Sequence, residues 1–322
     1  MRLPSRAAPA GHRATVAKAT DARRRSRPAR AARLEEAQKY LFVLPALLLF
    51  GTFVLLPLGS AVYYSFTTWD GLRTPEWVGW RNYVRAWNDS IHIRSYVNVG
   101  IYIAGTLVVE VAFGLLIAVL LASDRRGFGF MRGLFFSPMV LSMVAAGLLW
   151  TYVYDYRRGL LNEGLRALGL AEWAHPWLSD GGTAMLAVII VSGWKYAGFY
   201  MIIFLAALRR IPVTLYEAAM LDGATPLQRL WHVTLPLLRE TGVVAILLCV
   251  TGGFAAFDLF FTMTGGGPFN ATEIPTTWIV KQAFDRHNMG YGAALTVVMT
   301  VVVGLVSLVY LLVTRRRHTV EY

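Results

Sequence analysis

Six long apolar stretches limit what this chain can fold into. They cover residues 40–66, 96–122, 134–154, 183–208, 238–263 and 291–313. About 20 mostly apolar residues let a helix cross the hydrocarbon core of a bilayer. Inside lipid every backbone N–H and C=O must be bonded within its own segment, which favours helices. The reading is an all-α membrane protein with six transmembrane helices. Only 16% of the 322 residues are charged and 56% are hydrophobic, against about 25% charged in soluble domains. The net charge of +12 suggests nucleic acid until it is located. Residues 1–39 hold eleven Lys/Arg against three Asp/Glu, the last eight residues add +2, and the 275 residues between carry only +2. Basic ends on an apolar body are the pattern of a membrane protein with both termini cytoplasmic. No aromatic or recognition-helix pattern accompanies the charge, so nucleic acid is not an expected partner. The first stretch has too long a basic preamble, too long an apolar run and no cleavage site for a signal peptide, so it should remain as a helix.

The loops orient the spans. Loop 123–133 carries Arg125, Arg126 and Arg132 against Asp124, and loop 209–239 carries Arg209, Arg210, Arg229 and Arg239 against Glu217 and Asp222. The other three loops are close to balanced in charge. The Arg-rich loops and both tails therefore belong in the cytoplasm. Trp69, Trp77, Trp80 and Trp87 suit loop 67–95 to the outer interface. Residues 1–39 lack the apolar content to fold alone and read as a basic disordered cytoplasmic tail, with a transmembrane domain over 40–322.

Loop 209–239 is long for a connection, and long loops usually carry function. Thr214 with Glu217, and Thr225 with Gln228, each have capping-box spacing. Gly223 suits the position just past a helix, and Pro226 the first position of the next. The loop thus reads as helix 214–222, a sharp turn, and helix 226–234 stopped by Pro236. Small Ala218 and Ala219 would let the first helix enter a groove closely.

These residues carry a family resemblance. Glu217-Ala218-Ala219, then Gly223 after three residues, then Val233-Thr234-Leu235-Pro236, resembles the EAA loop of bacterial ABC-importer permeases. Trp194-Lys195, Gly198-Phe199, Ile203-Phe204-Leu205-Ala206, Ile211-Pro212, Phe257-Asp258, Thr264-Gly265-Gly266-Gly267-Pro268 and Gly290-Tyr291-Gly292-Ala293-Ala294-Leu295 are similar to the carbohydrate, MalF/UgpA-like, binding-protein-dependent branch. The resemblance covers most of residues 40–313. It implies a type I ABC importer permease fold in the bacterial cytoplasmic (plasma) membrane, with the first span outside the core helices. It also implies four partners besides the bilayer: a second permease subunit, an ATP-binding cassette ATPase dimer, an extracytoplasmic solute-binding protein and a sugar or oligosaccharide substrate. ATPase coupling would fall to Glu217, Ala218, Ala219, Asp222 and Gly223, with Glu217 pairing with a basic residue of the ATPase. The alternative for Glu217 is that it only caps its own helix.

Catalytic chemistry is missing from the sequence. No Walker A pattern occurs; the glycine run after Thr264 lacks the lysine and reads as a tight exit from the fifth span. The six histidines are scattered and the single cysteine cannot form a cluster, so neither a metal nor another cofactor is expected. The chain should be no enzyme, and ATP hydrolysis should belong to a partner.

Pathway candidates are Trp194, Lys195, Tyr200, Thr251, Gly253, Phe254, Phe257 and Asp258, with Tyr196 as a further aromatic face, because sugars are held by hydrogen bonds and ring stacking. Lipid or helix packing is the competing use of each aromatic. Lys195 and Asp258 lie inside spans, where charge is costly. Their offset from the inner ends of their spans differs by about 7 Å, which disfavours a pair. Lys195 would otherwise meet backbone carbonyls or a sister subunit, and Asp258 would be hydrated near the outer interface. Gly252-Gly253 permits close approach or a bend. Gly253, Ala255 and Ala256 stand where maltose-type permeases carry amides, so specificity would rest mainly with the binding protein. Glu110, mid-span in the second stretch, receives no role from sequence. A stand-alone secondary transporter or channel is the competing class; it would need its own ion-coupling site.

Overall fold

The computed structural model describes residues 43–123 and 125–315. The expected tail 1–39 lies outside the described residues. Contacts divide the chain into two units with the boundary after Ser60. Helix α1 (Val43–Ser65) contains a widened turn at Gly51–Leu55, and no residue of its most apolar window is buried.

After α1 comes a small antiparallel pair, β1 (Thr67–Thr68) and β2 (Glu76–Trp77), in register Thr67 to Trp77. Phe66 stacks on Trp77 with ring centroids 5.4 Å apart, and Asn82 Nδ2 donates to the carbonyls of Ser65 and Thr67. Asn82 belongs to α2 (Arg81–Asn88), which leads into the long helix α3 (Ser90–Leu120). Asp89 caps α3: its Oδ1 accepts from the N–H groups of Ile91 and His92. Its Oδ2 accepts from Trp278 Nε1 at 3.0 Å and Tyr291 Oη at 2.8 Å, tying this helix start to the last third of the chain. Burial opposes the Asp89 charge, but the Tyr291 hydroxyl, the His92 N–H and the Trp278 indole outweigh it and hold the carboxyl below the usual range.

The third apolar stretch departs from expectation. It forms α4 (Phe128–Val140) and α5 (Met143–Val153), bent by 100° between them. Helix ends leave carbonyls without partners, and here Lys195 supplies them. Its ammonium donates to the carbonyls of Pro138 at 3.5 Å, Met139 at 3.2 Å and Leu141. Ser142 then caps α5 through the Ala145 N–H.

After α6 (Leu160–Ala167) comes α7 (Ala184–Leu208), the central helix, with 67% of its most apolar window buried. Its small residues explain that position, because they let backbones approach closely. A Cβ on Gly198 would overlap the Phe135 carbonyl of α4, and one on Gly114 of α3 would lie 2.8 Å from Tyr200.

Next come α8 (Val213–Leu221) and α9 (Pro226–Leu237), then α10 (Arg239–Phe254), bent from α9 by 69°. The fifth stretch is also broken. The α10 helix stops at Phe254, and α11 (Asp258–Met263) starts after Ala255–Phe257, so Asp258 is in a first turn and not mid-helix. The bend sits just past Gly252-Gly253, where Gly253 also packs closely on Ile103. As expected, Thr264–Pro268 is a tight exit, with Gly265 and Gly266 at positive φ. Beneath it Glu273 pairs with Lys281 at 2.5 Å. Helix α12 (Pro275–Val280) and α13 (Met289–Arg315) complete the chain. Among the described residues four helices are long and apolar enough to cross a membrane, and up to six spans result if each bent pair counts as one.

Of three core clusters among the described residues, one gathers Ala86, Trp278, Tyr291 and Leu295, and the two larger ones adjoin. Val99, Tyr102, Ile103, Val188, Val191 and Phe260 fill one; Val111, Ile117, Tyr200, Met201, Phe204 and Cys249 fill the other. Both lie where α3, α7 and α10 meet.

Candidate functional site

The α8–α9 hairpin builds itself from local chemistry. Helix α8 ends in Asp222, and Gly223 follows with φ of +77°. The Gly223 N–H donates to Met220 O at 3.1 Å and the Ala224 N–H to Ala219 O at 2.9 Å. That is the full Schellman pair, which closes a helix end without a side chain. The expected Thr225 capping box is formed in both directions, with Pro226 at the first position of α9. Tyr216 Oη lies 3.1 Å from Thr234 Oγ1 and joins the two helices.

Two local expectations fail. Thr214 does not cap: Pro212 starts α8, and Thr214 is already inside the helix. Proline fixes φ near its helical value, so the helix begins ahead of the hydroxyl. Pro236 does not stop the second helix. It lacks the N–H for the usual bond, and the turn Leu230–Thr234 widens to π geometry, carrying the helix to Leu237.

The hairpin displays apolar side chains. Leu221 is 90% exposed and Trp231 62%, with Val213, Met220 and Leu227 also exposed. Glu217, Ala218, Asp222 and Gly223 are exposed and Ala219 is half-buried. Among the described residues nothing pairs with the Glu217 carboxylate.

A second feature lies in the body of the bundle. α3, α7 and α10 converge on a cavity of about 370 Å³. Tyr102, Thr106 and Glu110 recur every four residues along α3, and Ser192, Tyr196 and Tyr200 do so along α7. This spacing puts each set on one helix face. Ser192 Oγ donates to Glu110 Oε1 at 2.6 Å, and Tyr102 Oη lies 2.8 Å from Ser192 Oγ. With the serine proton committed to Glu110, the tyrosine hydroxyl is the donor of the second bond. The Cys249 thiol reaches Thr106 Oγ1 at 3.5 Å and Glu110 Oε2 at 3.9 Å. Glu110 is 5% exposed and lies on the π turn Leu107–Ala112.

Four of the eight pathway candidates line this cavity: Tyr200, Gly253, Phe257 and Asp258. The other four do other work. Trp194 makes an edge contact with Trp150, rings 5.5 Å apart, beside a separate apolar hollow. Lys195 clasps the α4–α5 carbonyls, as the backbone-carbonyl reading expected, and forms no pair with Asp258. The Thr251 hydroxyl is turned back onto Leu247 O at 2.8 Å. Phe254 is core. Sequence reasoning missed Tyr102, Thr106, Ser192 and the role of Glu110. The signal was present as two polar stripes of period four crossing apolar helices.

Residues 110–319 match the family described as binding-protein-dependent transport system inner membrane component. The probable ABC transporter permease protein YurN of Bacillus subtilis is 37% identical over 84% of this chain and 93% of its own length. The diacetylchitobiose uptake system permease protein NgcF of Streptomyces coelicolor is 33% identical over 84% of this chain and 80% of its own. The fold matches a chain of a bacterial alginate ABC transporter, crystallised with a periplasmic protein carrying an alginate pentasaccharide. Its TM-score is 0.77, at 21% identity over 89% of this chain and 97% of that one. Family match, relatives and fold agree: this membrane-spanning chain belongs to the inner membrane components of binding-protein-dependent transport systems.

Proposed function

We propose that the chain is one of two permease subunits of an importer for a sugar or oligosaccharide, driven by a separate ATP-binding cassette ATPase dimer and fed by an extracytoplasmic binding protein. The observation that carries this reading is the α8–α9 hairpin. It is rigid through its own caps, yet it exposes Leu221 and Trp231, and among the described residues Glu217 has no partner. An exposed apolar patch of this kind marks an interaction surface. On this reading Glu217, Ala218, Ala219, Asp222 and Gly223 enter a groove of the ATPase, and nucleotide-driven closure rocks the core helices between two access states. The charge distribution supports a cytoplasmic hairpin with both termini on the same side.

The cavity between α3, α7 and α10 is the pathway element of this subunit. Its volume lies at the lower end of small-molecule sites, and its hydroxyls, carboxylates and aromatic rings are the groups that hold sugars. The sugar class is supported by the diacetylchitobiose relative. The test is reconstitution in proteoliposomes. Uptake is expected only with the second permease, the ATPase, ATP and the loaded binding protein. Accumulation against a gradient by the isolated chain would instead establish a self-sufficient transporter.

A further inference from the structure

The loop between α11 and α12 holds one aromatic ring in the open. Phe269 is 96% exposed. Its φ is +50° and that of Asn270 is +61°, in the left-handed region that residues other than glycine rarely enter. A bulky residue held there stores strain, and such positions concentrate at functional sites. The backbone around the ring is tied down. Thr272 Oγ1 donates to Gly267 O at 2.6 Å and lies 2.8 Å from Thr264 Oγ1. The Ala271 N–H donates to Pro268 O at 2.8 Å. Asn98 Nδ2 of α3 donates to the carbonyls of Asn270 at 3.2 Å and Glu273 at 2.8 Å. Glu273 itself is fully buried, with the Lys281 ammonium on Oε2 and the Thr277 hydroxyl on Oε1. A Cβ at Gly266 would overlap that carboxylate, so the ion pair lies directly against the loop backbone. One apolar stretch, 238–263, separates this loop from the α8–α9 hairpin, which places the two on opposite sides of a bilayer. Gly267 and Pro268, just before the ring, line a hollow of about 490 Å³ with Thr151, Asp155, Ser179 and Thr264. Polar walls of this kind belong to an aqueous surface and would be costly in hydrocarbon, so the ring is offered to a soluble partner.

We propose, on the importer reading, that Phe269 is the anchor by which this subunit holds the loaded extracytoplasmic binding protein, and that the Glu273–Lys281 pair is its positioning brace. A rigid aromatic that fills a pocket on its partner loses little freedom on docking, and a few such anchors carry most of the free energy of an interface. A strained phenylalanine stands where glycine would fold more easily because its ring is used outside the chain. A buried ion pair adds little net stability; here it fixes the direction in which the ring points.

The test uses the assembled importer in nanodiscs and its cognate binding protein, loaded with the sugar it retains on purification. ATP hydrolysis is followed as that protein is titrated. Phe269→Gly removes the ring and relieves the left-handed backbone. It should raise the half-saturating concentration about tenfold or more, without lowering the unfolding temperature of the subunit. Lys281→Met should raise it too, Lys281→Arg should restore it, and Lys281→Met added to Phe269→Gly should change nothing further, because both act through one ring. Phe269→p-benzoylphenylalanine should photocrosslink to the binding protein, read by mass spectrometry. Crosslinks only to lipid or to the second permease subunit, or a half-saturating concentration within about twofold of wild type in Phe269→Gly, overturn the anchor and leave the importer reading standing. A further loss in the double variant assigns Lys281 to the fold alone and overturns the brace. Wild-type hydrolysis that ignores the loaded binding protein at every concentration overturns the importer reading as well.

Discussion

The hairpin and the cavity are opposites in where they place their polar and apolar atoms. The hairpin settles its backbone polar groups locally, through the Schellman pair at Gly223 and the Thr225–Gln228 box, and leaves Leu221, Leu227 and Trp231 facing outward. The cavity buries Glu110, Ser192 and Thr106 among apolar helices and satisfies them across 82 and more residues of sequence. A surface whose polar needs are met but whose apolar face is bare is made for a protein. A cavity lined by polar groups that are paired with one another among apolar helices suits a small polar solute. The difference also predicts how each region breaks: the hairpin through its partner, the cavity through its own stability.

The largest effect is expected at Glu217. Its carboxylate has no partner among the described residues, so Glu217→Lys should leave helix content and thermal unfolding of the subunit unchanged within about 0.5 kcal/mol. A like charge placed against a basic partner costs several kcal/mol, so uptake by the assembled importer should fall about a hundredfold or more. Equal uptake in wild type and variant would remove the docking role. Next comes Lys195→Met, which abandons the carbonyls at the α4–α5 elbow. Unsatisfied buried polar groups cost about 1–3 kcal/mol each, and the subunit in detergent should unfold at a correspondingly lower temperature. Ser192→Ala leaves Glu110 Oε1 without its donor and should cost about 1–3 kcal/mol, with docking to the ATPase intact in a pull-down. The smallest effect is at Asp89. Its pKa lies below the ordinary 3.8, so the charged form is the one favoured by folding. The stabilisation is present above that value and is lost as pH falls through the lower folded-state pKa. Acid unfolding of Asp89→Asn should therefore lack that component; identical acid profiles would contradict it.

Much of this was legible in the sequence, and the failures have physical reasons. The number of apolar stretches, the turn at Gly223 and the cap at Thr225 depend on neighbours in the chain, and each was found. Hydropathy saw one span over 134–154, because it weighs apolar character alone and passes over Pro138, which sits in the 3-10 turn Ser137–Val140 before the elbow. The elbow exists through Lys195, more than fifty residues away. The fifth span looked continuous for the same reason: Ala255 and Ala256 are good helix formers, and the break belongs to the packing around Gly253 and Ile103. Trp194, Thr251 and Phe254 have the right chemistry for a sugar site but the wrong faces of their helices. A period-four search for polar side chains along α3 would have found Tyr102, Thr106 and Glu110 together.

The lysine clasp has a mechanical consequence. One ammonium on the central helix holds the last carbonyls of α4 and the Leu141 carbonyl of the elbow, so the end of α4 cannot pull away without stripping a buried cation of its partners. The elbow and the central helix must then travel as a single casting through the transport cycle. The compliance needed for alternating access is left to the unclasped joint at Ala255–Phe257, next to the α3–α7–α10 cavity.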